Sequence, residues 1–305
     1  MDYVLRTNNL SKKYKNTYVL KNVNMNIKKG DIYGFVGENG SGKTTIIRLI
    51  TGLVSPTSGN YELFGVKNKT IKVLKARKKV GAVVESPSIY LNMTAKENLK
   101  MQADILGVKS KNKIKDMLKL VGLEDVINSK KKAGNFSLGM RQRLGIAMAL
   151  IGDPEFLILD EPMNGLDPAG IVDLRELIIK LNKERNITFL ISSHILTELS
   201  LVATKYGIIS HGKMIEEISS EDLKNKCRKN VVVEVDNIEL AKKEIAKITD
   251  SFDVLNNKIT IYEEVDLNVL LSSLIKKKIK IDSINTNNLN IEDYYLSVIG
   301  GNKNV

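Results

Sequence analysis

Hydrophobic and polar positions follow different periods along the chain. Before residue 30, apolar and polar residues alternate, which predicts short antiparallel strands. Between residues 31 and 210, short apolar runs such as Phe156–Leu159 alternate with segments whose apolar positions recur at helical spacing. Strands that alternate with helices in this way predict an α/β core with a parallel sheet.

One segment within this region carries helical patterns only. Thr94 and Glu97 have the spacing of a capping box that opens a helix. Ser137 is a suitable N-cap for a helix that continues to Leu150. We therefore predict an all-helical insert at about residues 86–150.

The pattern changes again after residue 215. The order β-α-β-β-α-β, typical of a split βαβ unit, is predicted for segments 230–235, 238–248, 254–261 (a hairpin), 267–275 and 279–284. We therefore predict two domains, residues 1–215 and a smaller α+β domain at residues 216–305.

Length and composition agree with a cytosolic protein of two domains. The chain has 305 residues, and no uninterrupted apolar stretch approaches the ~18–20 residues that span a bilayer. Its first residues lack the basic and apolar regions of a signal peptide. A single cysteine, Cys227, fits a reducing compartment. We expect neither a membrane-spanning nor an exported chain.

The positive charge is concentrated in the first domain. The net charge is +12, and residues 216–305 contain 13 Lys and Arg against 16 Asp and Glu, so residues 1–215 carry +15. Such a surface would suit nucleotides, nucleic acid or an anionic membrane face. Aromatic residues make up only 5% of the chain and follow no RNA-binding pattern. We therefore expect no nucleic-acid partner.

The most informative motif follows the apolar run that ends at Val36. Residues Gly37–Thr44 read G-E-N-G-S-G-K-T, a glycine-rich loop between a predicted strand and a predicted helix. Glycines let backbone N–H groups surround phosphate oxygens, Lys43 can bind the β- and γ-phosphates, and Thr44 can offer its hydroxyl to Mg²⁺. The predicted phosphate-binding residues are Gly37, Glu38, Asn39, Gly40, Ser41, Gly42, Lys43, Thr44 and Thr45.

Two acids end the apolar strand at Phe156–Leu159. Asp160 would reach the Mg²⁺ ion, and Glu161 would polarise a water for in-line attack on the γ-phosphate. His194 ends another strand, where it can contact the γ-phosphate and hold that water. Alone, the acids would suit a solvated strand end and the histidine a structural role. The glycine-rich loop favours the catalytic interpretation.

Two further segments complete an ordered set. Ser137 and the N–H groups beside it would form a second anion site at a helix N-terminus. Asn164–Asp167 follows the two acids directly. This set resembles the ATP-binding subunits of ABC transporters. Their motifs match as Walker A (Gly37–Thr44), signature (Phe136–Met140), Walker B (Phe156–Glu161), D-loop (Asn164–Asp167) and switch histidine (His194).

The resemblance covers residues 1 to about 220 and implies an α/β P-loop fold, with an N-terminal antiparallel part, that binds ATP and Mg²⁺. It implies a head-to-tail homodimer in which Ser137, Gly139 and Asp167 of one subunit approach ATP held by the other. Tyr14 stands where the family stacks an aromatic ring on adenine. An ordinary strand aromatic is the alternative for Tyr14.

Two motifs depart from the family pattern. Leu138 and Met140 replace a Gly and the Gln of the usual signature L-S-G-G-Q. Glu85 stands where the family usually has Gln, and its carboxylate could bind Mg²⁺ while adding negative charge near the phosphates. The alternative for Glu85 is a solvated loop acid. A Glu at this position and a C-terminal extension resemble the subgroup that handles bacitracin-type and lantibiotic peptides.

The sequence thus predicts a cytosolic ATPase subunit, peripheral on the inner face of the cell membrane, that drives separate transmembrane permease subunits. Peptide antibiotic export or self-protection is the expected process. The alternative is a soluble ABC-type ATPase that acts on ribosomes or nucleic acid. Such proteins usually carry two ATPase modules or a long coiled coil, and this chain has one Walker A motif and no sustained heptads.

Overall fold

A computed structural model of the protein describes residues 2–108, 111–227, 230–255, 257–262, 265–287 and 291–300. Two compact units divide the chain after Ser220, five positions beyond the boundary predicted at Ile215. None of the described helices combines the length and apolar character that a membrane span requires.

Strands of the first unit form two sheets. They are β1 (Tyr3–Tyr14), β2 (Thr17–Val23), β3 (Asn26–Lys28), β4 (Ile32–Val36), β5 (Ser58–Leu63), β6 (Val66–Lys67), β7 (Val80–Val83), β8 (Phe156–Asp160), β9 (Thr188–Ser193), β10 (Lys205–Ser210) and β11 (Lys213–Ser219). The α-helices are α1 (Lys43–Thr51), α2 (Val73–Arg77), α3 (Ala95–Leu106), α4 (Lys111–Leu120), α5 (Leu138–Leu150), α6 (Pro168–Arg185) and α7 (Leu196–Ser200).

The central sheet has the order β11-β10-β4-β9-β8-β7. All neighbours are parallel except β10 and β11. Every residue of β4, β8 and β9 is buried, as expected for a parallel sheet that is covered on both faces. Val36 pairs with Ser193, and Asp160 pairs with Ser192, so the carboxyl ends of these three strands lie side by side. The α/β prediction is confirmed.

The antiparallel part predicted before residue 30 is also present. Strands β2, β1, β5 and β6 lie in that order, with β3 paired to β1. Their buried side chains share one core with the apolar face of α1. This core includes Leu5, Leu10 and Leu20 from the strands and Ile46, Ile47 and Ile50 from α1. This core holds the start of α1, and therefore the glycine-rich loop, against the rest of the domain.

A partly buried polar cluster links β11 to β3, β4 and β10. Glu217 accepts hydrogen bonds from the Tyr33 hydroxyl at 2.7 Å and from the Asn26 backbone N–H at 2.9 Å, and pairs with Lys205 at 3.2 Å. Burial, followed by the Glu217 charge, raises the pKa of Tyr33 well above its ordinary value, so the hydroxyl stays a donor. Together with the pairing of β11 to β10, which extends to Ser219, these contacts keep β11 in the first unit, so the boundary lies after Ser220.

The helical insert contains α3, α4 and α5, with 3-10 turns at Glu124–Val126 and Ala133–Asn135. The predicted capping box is present: Thr94 Oγ1 accepts from the Glu97 N–H at 3.2 Å, and Glu97 Oε2 accepts from the Thr94 N–H at 2.6 Å. Helix α3 ends at Gly107, whose φ of 72° is a left-handed conformation that glycine adopts without strain.

The second unit is a small α+β domain. It contains α8 (Ser220–Lys226, which starts at the boundary), β12 (Asn230–Val235), α9 (Ile238–Ile245), β13 (Phe252–Leu255), β14 (Lys258–Ile261), α10 (Leu267–Lys276), β15 (Ile281–Asn287) and α11 (Ile291–Gly300). The sheet order β13-β14-β12-β15 places β14 between β12 and β13. That order is the predicted split βαβ arrangement. One turn position of the predicted hairpin, Asn256, lies outside the described residues.

Candidate nucleotide site

The loop between β4 and α1 has a backbone that requires glycine. Gly40 and Gly42 have φ of 81° and 110°, in the left-handed region. A Cβ at Gly42, the N-cap of α1, would lie 2.5 Å from a methyl of Leu20. A Cβ at Gly37 would lie 2.4 Å from the Ile209 carbonyl oxygen. The loop therefore bends tightly with its N–H groups unobstructed by side chains.

Lys43 is buried within this loop. Its Nζ donates to the carbonyl oxygens of Gly37 at 2.6 Å and Glu38 at 3.2 Å, and only 5% of the residue is exposed. Ser41 is also buried, and its Oγ has no hydrogen-bond partner. A buried hydroxyl normally has a partner, so this unpaired oxygen suits an oxygen-bearing ligand in the loop.

Glu161 joins the loop to the two strands beside it. Glu161 Oε1 lies 3.1 Å from Lys43 Nζ, and Glu161 Oε2 lies 2.8 Å from His194 Nδ1. The φ of Glu161 is 50°, a sparsely populated conformation for a residue with a side chain. This bend turns the chain away from β8 directly after Asp160. The structure thus brings three predicted site residues into direct contact.

Asp160 accepts a hydrogen bond from Ser192, a residue that the sequence analysis missed. Ser192 Oγ donates to Asp160 Oδ1 at 2.5 Å and accepts from the Glu161 N–H at 2.9 Å. Asp160 is 2% exposed, and its Oδ2 is buried without a hydrogen-bond partner. A carboxylate oxygen in that setting fits a hard cation such as Mg²⁺. The signal for Ser192 was its place at the end of an apolar strand, two residues before His194.

Metal binding at this point would depend on more than side chains. Across the described part of the chain, no cluster of three His, Cys, Asp or Glu could hold a metal ion. Mg²⁺ in nucleotide sites commonly has one or two protein ligands and otherwise binds phosphate oxygens and water. Thr44, in the first turn of α1, and Asp160 fit that ligand class.

Ser137 and Asp167 both begin helices. Ser137 Oγ caps α5 by accepting from the Met140 N–H at 3.2 Å, and Asp167 Oδ1 caps α6 by accepting from the Gly170 N–H at 2.9 Å. The start of α5 lies beside the D-loop of the same chain, since a Cβ at Gly165 would be 3.1 Å from a methyl of Leu138. Ser137 and Leu138, at the N-terminus of α5, are nevertheless exposed.

Glu85 and Tyr14 do not join the cluster around Lys43. The Glu85 carboxylate forms an ion pair with Arg48 of α1, and both side chains are partly exposed. Tyr14 ends β1, is 41% exposed, and has Lys12 Nζ 4.9 Å from its ring centroid. An exposed ring at this position is available for stacking, but no described contact assigns it to adenine.

Together the strand order, the glycine-rich loop and the acids at the strand ends define a P-loop nucleotide-binding fold. A family model for ABC transporters matches residues 20–164. The bacitracin transport ATP-binding protein BcrA of Bacillus licheniformis is 42% identical over 99% of both chains. The lantibiotic transport ATP-binding protein SrtF of Streptococcus pyogenes is 46% identical over 70% of this chain and 90% of its own.

Solved structures give the same result. The dimeric ABC transporter cassette MJ0796 is 27% identical and superposes with a TM-score of 0.63 over 71% of this chain and 98% of its own. The cbiO1 protein of Clostridium perfringens gives 0.66 at 27% identity, over 73% and 91% of the two chains. The chain belongs to the ABC transporter family as an ATP-binding subunit. It is an ATPase.

Proposed function

We propose that this subunit powers a separate membrane permease and that the substrates are peptide antibiotics, in export or self-protection. The carrying observation is the similarity to a bacitracin transport ATP-binding protein along nearly the whole chain, including the second unit. A relative named for lantibiotic transport adds support over the first unit. In this proposal the protein works at the inner face of the cell membrane.

ATP binding is assigned to the glycine-rich loop. The backbone N–H groups of Gly37–Thr45 would surround the β- and γ-phosphates, and the N-terminus of α1 would add its positive potential. Lys43 would exchange its contact with Glu161 for phosphate oxygens, which are stronger charge-assisted acceptors than its present carbonyl partners. The exposed ring of Tyr14 would stack on adenine.

The metal is assigned to Thr44 and Asp160. Mg²⁺ would neutralise negative charge on the phosphate oxygens. The Thr44 hydroxyl and the unpaired Oδ2 of Asp160 would hold it, while Ser192 fixes the Asp160 carboxylate through the other oxygen. Glu85 would reach the metal only after it leaves Arg48.

Hydrolysis is assigned to Glu161 and His194. Once Lys43 has turned to the phosphates, Glu161 Oε1 is free to accept a proton from the attacking water. His194 Nδ1, already 2.8 Å from Oε2, would keep the carboxylate oriented and hold the water near the γ-phosphate. The left-handed bend at Glu161 comes directly after β8, and the carboxylate lies beside the loop, 3.1 Å from Lys43 Nζ.

A second copy completes the site in this proposal. Two subunits would meet head to tail, so that Ser137, Gly139 and Asp167 of one approach the ATP of the other. The exposed N-terminus of α5 suits the γ-phosphate charge. Leu138 is 46% exposed and would lie in that contact, where the family usually has glycine. The similarity to dimeric cassettes supports this arrangement.

The permease is assigned to the helical insert. Four large apolar residues at its surface are about half exposed or more, namely Tyr90, Leu91, Ile105 and Leu106. Exposed apolar side chains on an otherwise charged surface mark sites for protein partners. The second unit has the role of an accessory domain, since every phosphate motif lies before residue 195.

The test combines genetics with fractionation in the protein's own host. Deleting the gene should raise susceptibility to bacitracin-type or lantibiotic peptides, and wild type but not Glu161→Gln should restore resistance. The tagged wild type should purify from detergent-solubilised membranes with a multi-span protein. Sedimentation with ribosomes and unchanged susceptibility would instead support the ribosome or nucleic-acid alternative.

A further inference from the structure

Glu85 is held by a cation on the helix that follows the glycine-rich loop. Arg48 lies four residues after Thr44 on α1, so the two side chains share one face of the helix, about 6 Å apart along its axis. The Glu85 carboxylate pairs with the Arg48 guanidinium. Glu85 is therefore tied to the helix that carries the hydroxyl assigned to the metal, through a residue one turn further along that helix.

The loop that carries Glu85 is held at two positions, at Glu85 by Arg48 and at Pro87 by α5. Glu85 has a φ of 62°, so the chain bends there in a conformation that costs energy for a non-glycine residue. Two residues later, Pro87 packs against α5, where a Cβ at Gly145 would lie only 2.4 Å from the Pro87 Cβ. The loop is thus tied to α1 through Arg48 at Glu85. At Pro87 it rests on α5, the helix that begins at Ser137.

The Arg48 contact is suited to exchange. Arg48 and Glu85 side chains are 42% and 58% exposed, and exposed ion pairs are weak. A carboxylate near the phosphates adds repulsion that a neutral Gln would not, and the guanidinium offsets this charge. A weak partner one turn away can keep Glu85 near the metal without binding it permanently.

We propose that Arg48 is a positioning residue that competes with Mg²⁺ for the Glu85 carboxylate and so sets how readily Glu85 engages the nucleotide. The proposal rests on the role of Glu85 given above. Removing Arg48 frees the carboxylate, so the metal should bind with less competition. Removing Glu85 as well should abolish the effect.

The test is a double-mutant cycle in the full chain. Arg48→Met, Glu85→Gln and the double variant are compared by binding of a fluorescent ATP analogue as Mg²⁺ is titrated. In Arg48→Met, the Mg²⁺ concentration for half-maximal binding should fall about two- to fivefold, the range for an exposed ion pair. The double variant should match Glu85→Gln. Arg48→Lys keeps the charge and should stay within about twofold of wild type.

A second readout needs no nucleotide. Hydrogen exchange of the amides at residues 85–91 should speed up in Arg48→Met and remain near wild type in Lys75→Met, a matched loss of an exposed cation on α2. An equal Mg²⁺ shift in the Glu85→Gln background would overturn the proposal, because Arg48 would then act on the phosphates directly. If Glu85→Ala leaves the Mg²⁺ dependence unchanged, the role assigned to Glu85 itself fails.

Discussion

Lys43 and Glu161 form an ion pair, with Nζ 3.1 Å from Oε1, between the loop assigned to phosphate and the carboxylate assigned to water. The other carboxylate oxygen of Glu161 lies against His194 at 2.8 Å. One acid thus has a nitrogen on each oxygen. The three N–H donors of Lys43 already face the Gly37 carbonyl, the Glu38 carbonyl and Glu161. We expect a bound phosphate to displace Glu161 from Lys43, which would couple nucleotide binding to release of the proposed base.

Lys43→Ala should abolish ATP binding. The variant removes the main cationic partner of the phosphates and leaves Glu161 repelling them. A fluorescent ATP analogue should show no saturation at concentrations 100 times the wild-type Kd, a loss of roughly 2.7 kcal/mol or more. Lys75→Met controls for overall charge. Near-normal affinity in folded Lys43→Ala would contradict the site.

Glu161→Gln should bind ATP and hydrolyse it about 10²- to 10⁴-fold more slowly, the range for loss of a general base. The amide is nearly isosteric but cannot accept the proton. With ATP and Mg²⁺ the variant should elute as a dimer in size-exclusion chromatography. A monomer under those conditions, with normal turnover in wild type, would refute the head-to-tail dimer.

Ser192→Ala should lower the affinity for Mg²⁺, so that the Mg²⁺ concentration for half-maximal ATP hydrolysis rises about 10- to 100-fold. This is the usual cost of losing a residue that orients a metal ligand. The variant leaves Asp160 Oδ1 without its 2.5 Å hydrogen bond. Ser193→Ala is the control, because Ser193 Oγ instead accepts from the Ile195 N–H at 3.0 Å. Equal effects in the two variants would show that Ser192 has no special role.

Much of this site follows from the sequence because its motifs are local. Apolar runs identify the buried strands, and the site residues stand at or directly after the ends of these strands: Gly37–Thr44, Asp160, Glu161 and His194. Because the strands are parallel, their carboxyl ends meet at one edge of the sheet. Ser192 and Arg48 were missed because each contacts a residue far away in the chain, 32 and 37 positions from it. No periodicity reveals that Arg48 meets Glu85.

The two units of the structure divide five residues beyond the predicted boundary for a similar reason. Lys213–Ser219 alternates only weakly in the sequence. In the structure it pairs with β10 and is joined through Glu217 to Tyr33 and Asn26, which lie almost the length of the unit away. A polar cluster assembled from distant segments leaves no spacing pattern in the sequence.

Truncation after Ser220 should leave a folded domain that binds ATP, whereas truncation after Ile215 should unfold or aggregate. The shorter chain loses Glu217, which leaves the buried Tyr33 hydroxyl and the Lys205 ammonium without that partner. Circular dichroism and ATP-analogue binding distinguish the two. If the 220-residue chain is folded but cannot bind nucleotide, the accessory role of the second unit is refuted.

The capping box of α3 predicts a pH effect. The Thr94 backbone N–H, first among several hydrogen bonds, lowers the pKa of Glu97 below its ordinary 4.5. A lowered carboxyl pKa stabilises the fold above the unfolded-state pKa, and this contribution is lost as pH falls through the folded-state pKa. Glu97→Ala should therefore be less stable than wild type at pH 7, by chemical denaturation, and the difference should shrink below pH 4.5.

Thr94→Ala should destabilise the insert by about 1 kcal/mol, the typical cost of removing a threonine N-cap. The Glu97 N–H loses its acceptor, which lies at 3.2 Å in the wild type. Hydrogen exchange in the first turn of α3 should rise more than in α5. Thr94→Ser, which retains a hydroxyl acceptor, should restore most of the protection.

The positions of the strands along the chain determine the order in which the two sheets are synthesised. The six-stranded sheet is complete once Ser219 has been made, whereas the second sheet waits for β15, which ends 68 residues later at Asn287. At about 5–20 residues per second, the ribosome needs roughly 3 to 14 s for that stretch. The nascent chain therefore contains every strand of the first unit for seconds before the last strand of the second sheet is made, so the first unit can fold and bind nucleotide ahead of the second.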